Sequence, residues 1–511
     1  MRRSIPIIAA LAALLLAPVA ARAQATGQMT GTVTDTSGGV LPGVTIEVTN
    51  AATGVVRTAV TNADGTFIVP LLQPGDYNVR ASLSGFRSVV REGVRVTVTE
   101  TSRVVFEMAL GQLTETITVT AEATLVETAN ATRGIVIDEQ KVVDLPLNGR
   151  NFTQLGTLIP GVVAPPASLG GQSGDATPGG FGNVTGGFNV NGMRNQSNNF
   201  LLDGATNNDT FNTGFVLRPP PDAIEEFKIL THAFSAEYGR NAGSVVNVVT
   251  KAGTNRFSGS AWEFNRDDAL QARNYFAPSN QAKPQLKQNQ FGAAIGFPVV
   301  QNKLFGFGYY DGFRNQTGIT QNIVVLSEAQ RRGDFSALSS PIRDPLTGLP
   351  FPGNIIPANR LSSVSQKFIS DFVPLPNSAG NRYIVSPTVE DNRDQFGIRM
   401  DYQMSEKQSF IGRYMRNRSD RVEPRTVQPA DQQSKATLQD FMGAHTYLFS
   451  SNAINTARIS VNRIFANPAV TSGLTNAEYG INLPNTNPLA VGLPSLLPRR
   501  YVIVRCLGMD M

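Results

Sequence analysis

Along most of its length the chain alternates apolar and polar residues with period two, the mark of strands with one face buried. Between positions 27 and 110 such runs recur at Gln28–Thr34, Val44–Thr49, Val56–Thr61, Thr66–Val69, Tyr77–Leu83, Val94–Val98 and Val104–Met108. In the second run Val44, Ile46 and Val48 fall on one side while Thr45, Glu47 and Thr49 fall on the other. Asp64-Gly65 and Pro74-Gly75 supply tight turns between runs. Seven short strands at this spacing predict a small β-sandwich over 27–110. Beyond it, Glu115-Thr116-Ile117-Thr118-Val119-Thr120-Ala121 is a further β-branched run, outside the sandwich and suited to pair edge-on with the sheet of another protein.

From residue 122 to 252 the pattern is mixed. Leu155, Leu158 and Ile159 stand at helical spacing until Pro160-Gly161 stops the run, a Gly-rich stretch reaches Gly187, and apolar strand-like runs return at Ile224–Ile229 and Val245–Val249. This predicts an α+β domain. From 253 to 511 the strands lengthen. Over Gln395–Met404, Phe396, Ile398, Met400, Tyr402 and Met404 face one way and Gln395, Gly397, Arg399, Asp401 and Gln403 the other, ten residues being enough to cross a bilayer at a tilt. Ser405–Gln408 turns the chain, and Phe410, Gly412 and Tyr414 return, with Ile411 and Met415 on the polar side. Phe257–Phe264, Gln290–Phe297, Lys303–Asp311, Asn322–Leu326, Gln439–Phe449 and Ala453–Ile464 bring the expected strands to eight. The Pro- and Gly-rich stretch 327–393 predicts one long loop. Strand by strand, this pattern serves a soluble sandwich as well as a membrane barrel.

The first residues change the picture. Arg2 and Arg3 precede an apolar run, Ile7–Leu16, and Ala21-Arg22-Ala23 supplies the small residues of a cleavage site. Residues 1–23 therefore read as a signal peptide cut between Ala23 and Gln24, the run being about half of the ~20 apolar residues a membrane helix needs. After Gln24 no apolar run of that length follows, so insertion into a membrane would have to be by strands.

Composition narrows the chemistry. The 511 residues allow several domains, and charged residues make up only 16%, with 47 Gly and 31 Pro, a balance that favours strands and turns. A net charge of +5, scattered without basic stripes, argues against nucleic-acid binding. Two histidines, His232 and His445, and one cysteine, Cys506, leave no basis for a metal site on nitrogen and sulfur ligands or for Cys–His catalysis. No nucleotide-binding, zinc-protease or serine-hydrolase motif occurs, so no catalytic residue and no cofactor are assigned. Asp35 and Asp64, like Asp203, Asn207, Asn208 and Asp209, suit turns better than calcium.

Three sets of residues carry a resemblance. Gly31-Thr32-Val33, Leu41-Pro42-Gly43-Val44, Asp64-Gly65-Thr66-Phe67, Leu72–Tyr77 and Gly85-Phe86 resemble the carboxypeptidase-regulatory-like domain, a transthyretin-like fold without peptidase chemistry. Glu115–Ala121 looks like a TonB box. Ile224–Ile229 followed by Ala236–Lys251 resembles the end of the plug domain of TonB-dependent outer-membrane receptors, and with Leu145–Phe152 the pattern resembles their Oar-like subgroup. The resemblance implies a mostly β protein: a seven-stranded transthyretin-like sandwich, an α+β plug and an incomplete antiparallel transmembrane β-barrel. It implies TonB and its inner-membrane energising complex as partners, outer-membrane lipid around the barrel, and a substrate of oligosaccharide, peptide or protein class. Asn191, Asn198, Asn199 and Asp203 would then be substrate-facing plug residues. Without the loop, roughly 190 residues follow the plug, against ~220 in strands alone for a 22-stranded barrel. Together with a final Arg499–Met511 that lacks an alternating strand, this leads us to expect a truncated or frameshifted product. The residues also leave open an exported surface protein whose sandwich binds polysaccharide.

Overall fold

The computed structural model describes residues 26–111, 116–120, 133–147, 150–163, 188–209, 214–235, 238–239, 241–273, 275, 283–424, 431–450, 453–471 and 476–481. Ala23, Gln24, Glu115, Ala121, the Gly-rich stretch before Phe188 and the segment 499–511 lie outside them.

The seven expected runs are strands β1 (Gly27–Asp35), β2 (Thr45–Asn50), β3 (Val56–Val60), β4 (Thr66–Leu72), β5 (Gly75–Ser82), β6 (Ser88–Val96) and β7 (Thr101–Met108). β6 begins at Ser88 rather than Val94, the alternation being interrupted by Glu92-Gly93, a bulge opposite Asn78. The strands form two sheets, ordered β4-β1-β7 and β3-β2-β5-β6-β8. Between them Met29, Val33, Ile46, Val48, Phe67, Val79 and Phe106 make the core. Gly31 is crowded by its two neighbours in the same sheet: a Cβ there would lie 2.0 Å from the Val104 carbonyl oxygen of β7 and 2.4 Å from the Phe67 ring of β4. The added strand, β8 (Thr116–Thr120), corrects the expectation that this run stands outside the sandwich. It pairs in parallel with β6, Ser88 opposite Thr116 through Glu92 opposite Thr120. A β-branched run with unpaired backbone groups satisfies half of them on the nearest open sheet edge.

The plug holds β9 (Arg133–Asp138), β10 (Val162–Val163), β11 (Asn189–Val190), β12 (Asn199–Leu202), β13 (Ala205–Thr206), β14 (Ile224–His232) and β15 (Val245–Thr250). Five of them form a mixed sheet, β13-β12-β15-β14-β9, while β10 pairs with β11. β15 is buried on both faces, which is why valines stand on both sides of the strand, at 245, 246, 248 and 249, without alternation. The expected helix is a 3-10 helix, Phe152–Leu158, whose first turn is capped by the Asn151 side chain accepting from the Thr153 N–H.

The third part is one seven-stranded antiparallel sheet of β16 (Ser258–Asp267), β17 (Leu286–Val300), β18 (Leu304–Gly318), β21 (Thr388–Ser405), β22 (Gln408–Glu423), β23 (Asp431–Ser450) and β24 (Ala453–Thr471). Among the described residues the sheet has seven strands, not the expected eight. The Asn322–Leu326 run is β19 (Gln321–Val324), which pairs with β20 (Arg382–Val385) inside the long loop. That loop has a core of its own, Phe335, Phe351 and Ile356. β17–β18, β21–β22 and β23–β24 are joined by two or three residues at one end of the sheet, and the long connections lie at the other.

Burial decides what kind of sheet this is. On β21 the apolar residues Phe396 and Ile398 are 41% and 47% exposed, while polar Gln395 and Arg399 are 7% and 2% exposed. This is the reverse of a soluble sandwich and the arrangement of a strand with lipid outside and a polar filling inside. The filling is the plug: Phe307, Tyr309, Met415 and Leu438 from the sheet join Phe152, Phe200, Phe215 and Phe227 of the plug in one cluster. Met415, on the polar side in sequence, is buried there against the plug.

Candidate functional site

The three parts meet around a buried set of charges. Arg399 on β21 and Arg413 on β22 are direct cross-strand partners, an arrangement of like charges that is unfavourable unless an anion lies between them. Asp203, at the tight corner between β12 and β13, is that anion. Arg399 Nη1 donates to Asp203 Oδ1 at 3.2 Å, and Arg413 Nη1 donates to Asp203 Oδ2. The same carboxylate accepts from the Thr250 N–H and Oγ1, each at 2.8 Å. Burial alone would raise its pKa, but Arg413 and Arg399 outweigh that and hold it below the ordinary carboxylate range. Arg399 also binds Asp401 through Nε at 2.9 Å and Nη2 at 2.7 Å, and Arg413 binds Asp440 at 3.1 and 2.5 Å. Two guanidiniums are thus shared among three carboxylates, each accepting at least one hydrogen bond, while Asp440 Oδ2 is buried with no partner among the described residues.

The sandwich is tied to the same place. Arg399 Nη2 donates to Gln73 Oε1 at 3.1 Å. Asn255, just before the sheet, donates from its backbone to Ala52 O at 3.0 Å and from Nδ2 to Thr53 O at 2.7 Å. Further along, the Val98 N–H donates to Glu226 Oε1 on β14, Lys228 Nζ donates to Glu100 Oε1 at 2.9 Å, and Arg95 lies 3.5 Å from Glu225. Glu226 is fully buried, and its Oε2 has no hydrogen-bond partner among the described residues. Burial pushes its pKa up to about 7, against the lowering effect of the Val98 N–H and Arg95. A cavity of about 360 Å³ opens here, lined by Gln73, Tyr77, Arg95, Glu225, Arg399 and Asp401 among others.

A second joint explains the Leu145–Phe152 motif. Arg150 pairs with Asp222 within the plug and lies over the rings of Phe264 and Trp262 on β16, at 4.4 and 5.4 Å. Ser260 Oγ donates to Asp222 at 3.3 Å. On the far side, Arg458 and Asn462 of β24 donate to the carbonyls of Gly204 and Thr206 at 2.8 and 2.7 Å.

Of the residues singled out in the sequence, Asp203 is the centre of the charged joint. Asn198 and Asn199 are buried: Asn198 donates to Phe188 O at 2.7 Å and accepts from Ser244 Oγ at 2.9 Å, and Asn199 accepts from Asn208 at 2.7 Å. These side chains are engaged inside the plug. Asn191 is exposed, at positive φ, and donates to Thr231 O at 3.0 Å. It lies at the His232 end of β14, remote from the sandwich. Thr116–Thr120 is β8. Sequence reasoning missed Arg399, Arg413, Asp440 and Glu226. The one available signal was that Arg399 and Asp401 lie on the polar side of β21, a side that in a barrel faces whatever fills it.

Three family models match in order along the chain: a carboxypeptidase regulatory-like domain over residues 28–109, a TonB-dependent receptor plug domain over 127–246, and an outer membrane beta barrel domain over 249–502. The chain belongs to the TonB-dependent outer-membrane receptors. A curated relative, the TonB-dependent transporter Oar of Myxococcus xanthus, is 27% identical over 270 residues, which are 49% of this receptor and 23% of that protein. The receptor chain therefore spans about a quarter of that relative's length. Among solved structures, the outer membrane transporter YddB of Escherichia coli is 10% identical with a TM-score of 0.40, covering 62% of this chain and 37% of its own. The siderophore receptor PirA of Acinetobacter baumannii is 16% identical with a TM-score of 0.33, covering 66% and 45%. The receptor belongs in the Gram-negative outer membrane. Short turns of such barrels face the periplasm and long loops the outside, so the sandwich and the charged joint are at the periplasmic end.

Proposed function

We propose that this chain works in active uptake across the outer membrane. Substrate of oligosaccharide, peptide or protein class meets the plug and loops from outside, where exposed Asn191 is a candidate contact. A TonB protein of the inner membrane pairs with Glu115–Ala121, and force drawn from the proton gradient shifts the plug; no bond of the substrate is made or broken. The observation that carries this reading is the charged joint. A plug seated by exchangeable ion pairs and hydrogen bonds around Asp203, at the end where β8 lies, is held firmly at rest and can be released by a pull. The likeness to the Myxococcus xanthus TonB-dependent transporter Oar supports the same reading.

Strand pairing uses backbone groups, so a proline in the docking strand removes an N–H and disfavours the extended form. Ile117→Pro is expected to abolish binding of the purified periplasmic domain of TonB, while outer-membrane assembly stays near normal and Ile117→Val is nearly silent. Equal TonB binding by the proline variant and the parent would overturn the TonB-box assignment.

A further inference from the structure

The docking strand is the terminal strand of a sheet. In the order β3-β2-β5-β6-β8, β8 has β6 on one side and no described strand on the other. In a parallel pair the backbone N–H and C=O groups of alternate residues point away from the partner, so β8 offers a row of them to a further strand.

Edge strands are normally protected against such additions by charge, proline or a bulge. The other edges of this sandwich follow the rule: β3 carries Arg57, β4 carries Pro70, and β7 carries Arg103 and Glu107. β8, Thr-Ile-Thr-Val-Thr, has no charge, proline or glycine. Among the described residues it is the one edge of the two sheets left open to pairing, and it coincides with the run assigned to TonB.

We infer that TonB adds its strand to β8 while β8 stays on β6, extending the five-stranded sheet of the sandwich to six across the two proteins. This rests on the TonB-box reading and goes beyond it: the box is presented by the sandwich and does not have to be released first. A consequence follows for the force. A pull along β8 loads the parallel β6–β8 pairing in shear, so that its bonds share the load. β6 then runs into Val98 and Glu100, which hold Glu226 and Lys228 of the plug. The sandwich is thereby the mechanical link between TonB and the plug.

A disulfide across the pair tests it. Val90 and Thr118 are register partners, and strands about 4.8 Å apart bring their Cα atoms within the range a disulfide spans. The full chain carrying Val90→Cys, Thr118→Cys and Cys506→Ser is expected to oxidise and, oxidised, to bind the periplasmic domain of TonB within about threefold of its reduced form. A loss of tenfold or more on oxidation, reversed by dithiothreitol, would show that the box must detach and would overturn the inference. So would failure to oxidise both this pair and the Arg91→Cys, Val119→Cys pair, since β8 would then not lie on β6. Ile117→Pro in the same assay separates the two readings: if it binds TonB like the parent, the TonB-box assignment itself fails, whatever the disulfide does.

Discussion

Arg399 and Arg413 face each other across β21 and β22, both buried, and Asp203 lies between them. Removing that charge leaves two guanidiniums opposed in a buried site, and breaking one member of a buried pair costs about 3–5 kcal/mol. Asp203→Asn keeps the shape and should loosen the seat of the plug by that order, seen as faster limited proteolysis within residues 199–250 and a lower urea midpoint; a plug as resistant as the parent's would dismiss the joint as its anchor. Asp203 was legible as a turn residue, for Asp-Gly takes the positive φ that the β12–β13 corner needs. Its partners were not legible. They stand some two hundred positions away, and no local rule links a corner in one domain to the inner face of another.

At the scale of the strand, period-two alternation located β1 to β5, β7 and most of the barrel strands, because side chains on a strand must alternate whatever surrounds them. It could not say which face was wet. On β21 the answer comes only from the plug, which buries Gln395 and Arg399 and leaves Phe396 and Ile398 outward. Ile398→Lys, on the lipid face, is accordingly expected to cost about 2–4 kcal/mol near the bilayer midplane and less toward its edges. Folding titrations into phosphatidylcholine vesicles measure this, and an unchanged midpoint would mean that β21 does not face lipid. Alternation also misassigned β19, whose four residues are as strand-like as any but pair with β20 in the loop. It likewise left β8 without a partner. Pairing is a matter of which edge is within reach, and a sequence pattern carries no such distance.

In the molecule as a whole the sandwich closes on the plug through Glu226, and this contact responds to pH. Facing that carboxylate are the Val98 N–H, Arg95, Glu225 and Glu100, with Lys228 two residues along the same face of β14 and bound to Glu100. Its pKa rises from an ordinary 4.5 to about 7 when covered, so docking takes up a proton between those values. The stabilisation is fully present below about 4.5 and is lost as pH rises through about 7. The difference is on the order of 3 kcal/mol at 1.36 kcal/mol per unit. Energy transfer between labels on sandwich and plug should therefore fall from pH 5 to pH 8 in the parent and stay level in Glu226→Gln; a flat profile in the parent would refute this. The sequence by itself determined that this protein is built of strands, where most of them lie, and which family its motifs resemble, since these follow from side-chain periodicity, turn residues and short contiguous motifs. Tertiary structure alone decided which face of the barrel strands meets lipid, that β8 belongs to the sandwich, and that Asp203 sits between two barrel arginines. Each of these depends on segments far apart in the chain meeting in space, and the energies that fix them, desolvation and charge pairing, exist only once they have met.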